Sequence, residues 1–506
     1  MKLLIVESPS KSKTIEHYLG SDYKVVASLG HIRDLKIKGK GGFGVDVEHN
    51  FEPEYEILPD KKEIVDELKK LAKSAEHIYL ATDPDREGEA ISWHLQEVLE
   101  EPEEKFSRIQ FNEITKTAVT NALLNPRDVD LNLVHSQESR RIIDRIIGFR
   151  LSSLLQQKIG SKSAGRVQSA ALKILVDREK EIEAFDSKEY WEIFLNFSKN
   201  EKELKAKLLT KDNNKIELKK EDDALNVLND LEGAKYKVST ITSKERKKSP
   251  KPPFITSTLE QDAGSRFNYN AKRTMLIAQK LYEGIDIEKE RVGLITYMRT
   301  DSVRLSDDFL KDAKKYITTN FGSNYYKGYT VKQKKGQKIQ DAHEAIRPTS
   351  LERTPALMKK YLSSDELKIY TIIYNRALAS IMKDSIVLDT NVTINAKDYS
   401  FGISGEKILF DGYQKLYIEA TDDDAESTSI IPEFVENETI NNTTLEKEQK
   451  FTAPPSRYTE VRLIRKMEDL GIGRPSTYAI TMETLKTRSY VSLDKRSLVP
   501  TEQGKL

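Results

Sequence analysis

The chain has no cysteine among its 506 residues. Disulfides, thiolate zinc sites, iron–sulfur clusters and cysteine nucleophiles are therefore excluded within it, and a cytoplasmic location fits. No uninterrupted apolar run reaches the roughly 18 residues a membrane span needs, so no transmembrane helix is expected. Met1 leads through the short apolar run Leu3–Val6 straight to Glu7, without the apolar core and cleavage site of a secretory signal. No G-x-x-x-x-G-K-[ST] stretch occurs, so there is no Walker A site. A charge excess is missing too: 82 Lys and Arg face 81 Asp and Glu, a net charge of +1. That balance carries no overall sign of a nucleic-acid partner.

What is present is unevenly placed. Apolar residues make up 38% of the chain and charged residues 32%, enough for several cores. The length predicts about three or four domains. Between Arg140 and Lys180 stand ten Lys or Arg against three acids, whereas Glu419–Glu438 holds eight acids and no Lys or Arg. The basic segment reads as an electrostatic footprint or as a solvated helix face.

Leu3–Val6 followed by Ser8-Pro9-Ser10-Lys11 and an amphipathic stretch from Thr14 to Leu19 reads as strand, turn and helix. Ile78–Ala81, the turn Thr82–Gly88 and a helical pattern to Leu99 repeat that order. Two such units predict an α/β domain with a parallel sheet, with functional groups beyond the carboxyl ends of the strands. Gly39–Gly44 reads as a loop, Leu131–Ala184 as helical, Tyr190–Thr242 as strands in places, and Lys244–Pro253 as a basic, proline-broken linker. Helices are expected from Phe254 to about Ile381, with a loop at Lys332–Lys338. Strands are expected over Ser385–Ile418, an exposed acidic loop at Asp422–Glu426, and helix then short strands from Tyr458. The ending Thr501–Leu506 reads as a chain that stops inside an element, a fragment.

Asp83, Asp85 and Glu87 stand at i, i+2 and i+4 after an apolar strand. Carboxylates so close repel one another unless a cation neutralises them. A hard divalent ion such as Mg²⁺ does so with oxygen ligands, and Glu7 at the end of the other strand completes a set of four. The alternative is an acidic turn that caps the next helix.

VESPSK (Val6–Lys11), SLGHIRDL (Ser28–Leu35) and TDPDREGEAISWH (Thr82–His94) resemble the Toprim domain of type IA DNA topoisomerases. SAGRVQS (Ser163–Ser169), LITYMRTDS (Leu294–Ser302), DAHEAIRP (Asp341–Pro348) and GIGRPSTYA (Gly471–Ala479) resemble that family's other motifs, in its order. The resemblance implies ATP-independent relaxation of negatively supercoiled DNA. One strand is cut by a tyrosine, a 5′-phosphotyrosine link forms, another strand passes, and the break is resealed. Tyr297 matches the nucleophile. A tyrosine hydroxyl is a weak nucleophile at neutral pH and needs a cation or base. Arg299, two residues on, would share its face in a strand and can grip phosphate with two hydrogen bonds.

The other matches are Lys11, for phosphate contact or leaving-group protonation, or else a surface lysine; Arg86, balancing the acids or touching DNA; and His31 and His343, near the site or structural. His343 with Glu344 and Arg347 suggests a phosphate-contacting cluster. Gln279 and Glu283 match the family's Q-x-L-Y-E stretch ahead of the tyrosine and share one helix face, set toward DNA or engaged in packing. Ser163, Arg166 and Gln168, in the SAGRVQS match, are candidates for a single-strand groove, with Arg141 and Arg145 pointing the same way by helical spacing. Arg474 makes a phosphate contact or a structural turn.

The fold class implied is α/β plus α+β multidomain, an N-terminal Toprim (Rossmann-like) domain within a four-domain toroidal core. Its parts are a Toprim domain (1–130), a helical DNA-binding domain (131–186 plus 456–506, incomplete at its end), a strand-rich arch (187–253 plus 385–455) and a catalytic tyrosine domain (254–384). The chain departs from the family's tightest spacing at Gly284–Arg291, expected to be a surface loop. The expected partner is DNA at single-stranded regions of a negatively supercoiled duplex, with Mg²⁺, no membrane and a monomeric chain. The alternatives are a Toprim nuclease or primase, which leaves the tyrosine motif unused, and a non-catalytic single-strand-binding fragment.

Overall fold

A computed structural model describes residues 1–331, 343–420 and 429–506. The loop expected at Lys332–Lys338, residues Asp341 and Ala342 of the DAHEAIRP motif, and the acidic stretch Asp422–Glu426 lie outside the described residues.

The N-terminal unit is a parallel four-stranded sheet in the spatial order Tyr23–Ala27, Lys2–Val6, His77–Leu80, Phe106–Arg108. From Lys2–Val6 the chain crosses through the helix Pro9–Tyr18 to one neighbour, and later returns to pair on the other side. The order reverses between Lys2–Val6 and His77–Leu80, and beyond the carboxyl ends of such a pair a crevice opens. Glu7 follows one of these strands and Asp83 the other. The first helix starts earlier than its apolar spacing suggests, because the Ser8 side chain caps it and Pro9 fits its first turn.

Two long helices follow, Leu131–Ile159 and Arg166–Glu183. The final segment packs back on the second of them. Leu463, Ile464, Met467, Met482 and Tyr490 share one core with Ala171 and Leu175. An antiparallel eight-stranded sheet draws on two stretches of chain, with strands from Glu189 to Lys248 and from Ser385 to Phe451. Between those stretches lie the helices Thr256–Phe267, Ala271–Glu283, Asp307–Asn320 and Ser364–Ala379. Their core is continuous with the N-terminal unit: Leu4, Val6, Ile15 and Phe111 belong to the same buried cluster as Leu281, Leu294, Tyr297 and Met298.

Three local expectations are corrected. Lys244–Lys248 is not linker but the end of the strand Tyr236–Lys248, which runs beside Ser385–Ala396. Its cations are matched across the sheet, Arg246 by Asp389 at 2.7 Å and Lys248 by Glu406 at 2.7 Å. A helix, Glu221–Asp230, interrupts the strand-rich stretch before it. Gly284–Arg291 is not a free surface loop: Ile285–Ile287 and Glu290–Val292 form a hairpin. Arg291 anchors it to the first helix, donating from Nε to Thr14 Oγ1 at 2.9 Å and from Nη2 to Ser10 Oγ at 2.8 Å.

Candidate active site

Asp83 and Glu7 emerge from adjacent strands, and Lys11, one turn into the first helix, reaches both. Its Nζ lies 3.0 Å from Asp83 Oδ1 and 3.3 Å from Glu7 Oε1, and its side chain is fully buried. Two carboxylates sharing one ammonium leave one negative charge over. Burial first, then the Asp83 charge, push the Glu7 pKa well above the ordinary carboxylate value. Asp83 goes the other way. Burial opposes its ionisation, but Lys11 outweighs that and lowers its pKa.

Asp85 takes the capping role of the acidic motif with one oxygen and meets Tyr297 with the other. One oxygen caps the helix Arg86–Val98, accepting from Gly88 N at 2.7 Å. The other accepts the Tyr297 hydroxyl at 2.6 Å. Gly88 is required beside it, since a Cβ there would come within 1.9 Å of the Asp83 carbonyl oxygen. Tyr297 is brought in by its backbone, whose N–H donates to the Asn112 carbonyl at 2.7 Å. It is buried between the Tyr282 ring and His343, at centroid distances of 5.2 and 6.3 Å. Burial, then the charges of Asp85 and Asp83, push its pKa well up, against the pull of Arg299. Residues Thr296–Thr300 are not strand, so Arg299 does not reach the hydroxyl by strand alternation. It does reach it: the fields of Tyr297, Asp85 and Asp83 raise its own pKa despite burial.

The remaining matched residues divide into those facing this centre and those engaged elsewhere. His343 Nε2 bonds the Pro84 carbonyl oxygen, inside the acidic turn. Glu283 accepts from Ser8 Oγ at 2.8 Å and from Gln279 Nε2 at 2.6 Å, which pins the helix Ala271–Glu283 to the start of the first helix. Glu87 turns away from Asp83 toward His31, 3.1 Å, and Gln137, 3.1 Å. Arg347 does not form a cluster with His343. Its guanidinium is buried in ion pairs with Glu344, 2.8 Å, and Glu113, 3.1 Å.

Arg141 grips Asp34 at 2.5 Å. Arg145 is buried beside it, donating to the carbonyls of Leu35 and Lys36 at 3.2 Å each. Arg86 and Arg166 lie close enough to Arg140 to lower its pKa, after burial, and Arg166 also pairs with Asp144 at 3.0 Å. Ser163 N donates to Tyr490 Oη at 2.8 Å. Arg474 is exposed and closes its own turn on the Gly473 carbonyl at 2.7 Å.

Sequence reasoning missed Arg108 and Tyr282. Arg108 is fully buried and holds the acidic turn by its backbone, donating to the carbonyls of Thr82 at 2.7 Å and Asp83 at 2.8 Å. An arginine three residues before an FNE triplet carries no signal of that role. Tyr282 could have been found, because it shares the helix face of Gln279 and Glu283.

The donor set can be tested against a metal. Among the described residues no three His, Asp or Glu side chains converge on one point. The Glu7–Asp83 pair, two hard oxygen donors from adjacent strands gathered on one ammonium, nevertheless fits Mg²⁺, which takes one or two carboxylates and keeps its waters.

The family model described as DNA topoisomerase matches residues 128–506, and the Toprim domain model matches residues 2–114. The chain belongs to the bacterial type IA topoisomerase I family. It is 49% identical over 509 residues to DNA topoisomerase 1 of Campylobacter jejuni, across 99% of this chain and 71% of that protein. The full-length topoisomerase I structure from Thermotoga maritima in a monoclinic crystal form superposes with a TM-score of 0.85 at 40% identity, covering 99% of this chain and 80% of that one. The activity of this topoisomerase is DNA relaxation, and its Toprim domain is a metal-binding domain. No helix among the described residues is long and apolar enough to cross a membrane.

Away from Tyr297 the topoisomerase has a cavity of about 830 Å³ between its two long helices and the final residues. Arg141, Phe149, Gln168, Lys173, Lys180 and Arg488 line it.

Proposed function

We propose that Tyr297 is the nucleophile that opens and reseals one DNA strand, with Glu7, Lys11, Asp85 and Arg299 as its working partners. The observation that carries this reading is the 2.6 Å hydrogen bond from the Tyr297 hydroxyl to Asp85, inside a buried set of cations and carboxylates. Cleavage forms the Tyr297 Oη–phosphorus bond and breaks the bond from phosphorus to the 3′ oxygen. The phenol proton passes to Asp85, the base already in contact with it. Arg299 offsets the charge gathering on the phosphate. The leaving 3′ oxygen takes a proton from Lys11. An alkoxide is a stronger base than any lysine, so Lys11 yields it even though Asp83 and Glu7 outweigh burial and raise its pKa. Resealing is the reverse, and the retained ester energy explains why no ATP is needed.

Glu7 and Asp83 would hold Mg²⁺, with Asp85 and Glu87 as the neighbouring carboxylates, and the ion would supply positive charge for phosphoryl transfer. The single strand would lie in the cavity between the long helices, where cations track phosphates and Phe149 offers a stacking face. Arg86, Arg166, Gln168 and Arg474 would border its path. In this reading the chain acts as a monomer in the cytoplasm, a compartment that a cysteine-free sequence fits.

The test is an adduct trap. Labelled single-stranded DNA, Mg²⁺ and no ATP are mixed with wild type and with Tyr297→Phe, then quenched in denaturant. Label should migrate with the wild-type protein only. Cut DNA without protein-linked label, in both proteins, would replace this reading with a Toprim nuclease.

A further inference from the structure

Tyr282 stands beside the nucleophile without a task in the scheme above. It is the penultimate residue of the helix Ala271–Glu283 and is fully buried. Its ring meets Tyr297 edge-on, at 5.2 Å and 62°. Its hydroxyl has no hydrogen-bond partner among the described residues. A buried O–H without an acceptor is costly, so native proteins rarely keep one unless another state uses it.

The surroundings say what that state offers. The polar side chains around Tyr282 are engaged: Lys11 with Glu7 and Asp83, Glu283 with Ser8 and Gln279, Tyr297 with Asp85. After burial, the influences on the Tyr282 phenol are the charges of Asp83, Glu7, Glu283 and Asp85, and all of them raise its pKa. It therefore stays protonated, a neutral donor fixed in place by its ring. Lys11 pairs with Asp83 at 3.0 Å, and the Asp83 charge is felt at both the Tyr297 and the Tyr282 phenol. The ring contact with Tyr297 keeps this unpartnered hydroxyl on the residue packed against the nucleophile, where an anion drawn in by Lys11 and Arg299 would arrive.

Building on the assignment of Tyr297, we propose that the Tyr282 hydroxyl donates a hydrogen bond to a non-bridging oxygen of the scissile phosphodiester. It would orient the phosphate for attack without adding charge to a centre whose charges are already matched. A neutral donor also lets the strand leave after resealing.

Tyr282→Phe removes the hydroxyl and keeps the ring that packs on Tyr297. The full chain is compared as wild type, Tyr282→Phe and Tyr297→Phe, with a labelled single-stranded oligonucleotide and Mg²⁺. A hydrogen bond to a charged phosphate predicts that adduct formation at saturating oligonucleotide slows about 10- to 100-fold in Tyr282→Phe. Half-saturation should move little. The melting temperature of the free protein should hold or rise, because the lost hydroxyl had no partner. A phosphorothioate at the scissile position should slow wild type and make little further difference to Tyr282→Phe.

Wild-type adduct rates in Tyr282→Phe would overturn the proposal and leave the nucleophile assignment standing. So would a fall in melting temperature that tracks the loss of activity, which marks a structural hydroxyl. An adduct in Tyr297→Phe would overturn both.

Discussion

Two knots of buried charge sit on either side of the turn Thr82–Asp83, and they are built to opposite rules. In the first, Glu89 receives Arg108 Nε at 3.0 Å, Arg127 Nη1 at 2.7 Å and the Asp130 N–H at 2.6 Å, while Arg108 also holds three backbone carbonyls around the turn. Its charged groups are all partnered. In the second, Glu7 and Asp83 compete for one lysine, burial and the Asp83 charge push the Glu7 pKa up, and Tyr282 has a bare hydroxyl. The backbone of Asp83 belongs to the first knot and its side chain to the second. A satisfied scaffold fixes the main chain so that a side chain can be held unsatisfied, ready for a substrate.

The largest effect should come from breaking the scaffold. Glu89→Ala leaves Arg108 buried without its counter-ion, and losing one partner of such a pair costs about 3–5 kcal/mol. Denaturant unfolding should show that loss; a change near zero would mean the pair is not the scaffold. The same residue fixes a pH signature. Burial alone would raise the Glu89 pKa, but Arg127 and Arg108 outweigh it and hold it at about 2, against an ordinary 4.5. The folded carboxyl thus binds its proton less readily than the unfolded one. Its stabilisation is complete above about pH 4.5 and is lost as pH falls toward about 2. Glu89→Gln should flatten the stability curve in that window.

The second knot should break in activity instead. Lys11→Met removes the shared cation, and losing one preorganised charge from a phosphoryl-transfer centre slows cleavage by about 10²-fold or more. Adduct formation on an oligonucleotide reads that directly. If the comparison holds, unfolding of Lys11→Met shifts less than that of Glu89→Ala, since Glu7 and Asp83 can share a proton once the lysine is gone. A larger loss of stability than of cleavage would make Lys11 part of the scaffold.

Much of this was legible in the sequence where both halves of an interaction lie within a few residues. Asp83, Asp85 and Glu87 follow an apolar strand, and Glu7 ends its neighbour, so the crevice between the two follows from strand–turn–helix order. The family motifs place Tyr297. Illegible were the contacts whose halves lie far apart in the chain. Lys244–Lys248 looks like a linker because Asp389 and Glu406, which neutralise Arg246 and Lys248, lie more than a hundred residues on. The pairing of Arg347 with Glu113, more than two hundred residues earlier, has no sign in the local motif. Tyr282 shares a helix face with Gln279 and Glu283, which marks its place, but its orphan hydroxyl emerges only once the fold has buried it.

The smallest effect expected is at the hairpin clasp, which tests whether the joint between the tyrosine segment and the first helix belongs to scaffold or site. The joint is polar: Arg291 donates to Ser10 and Thr14, and the Thr14 hydroxyl donates to the Glu283 carbonyl at 2.6 Å. Gly284 makes the approach possible, at φ 140°, where a Cβ would lie 2.2 Å from Thr14 Oγ1. None of these groups touches the Tyr297 hydroxyl. Arg291→Ala exchanges the two side-chain hydrogen bonds across the joint for water, together with the exposed pairing to Asp286 within the hairpin, and should weaken the joint by about 1 kcal/mol, close to a fivefold change in local opening. Hydrogen exchange at Ser8–Thr14 and Ile285–Val292 should quicken by that factor, while oligonucleotide cleavage keeps its rate. Slower cleavage at unchanged exchange would move Arg291 from the clasp into the site, and unchanged values of both would show that the apolar contacts around Ile15 and Leu281 hold the joint alone.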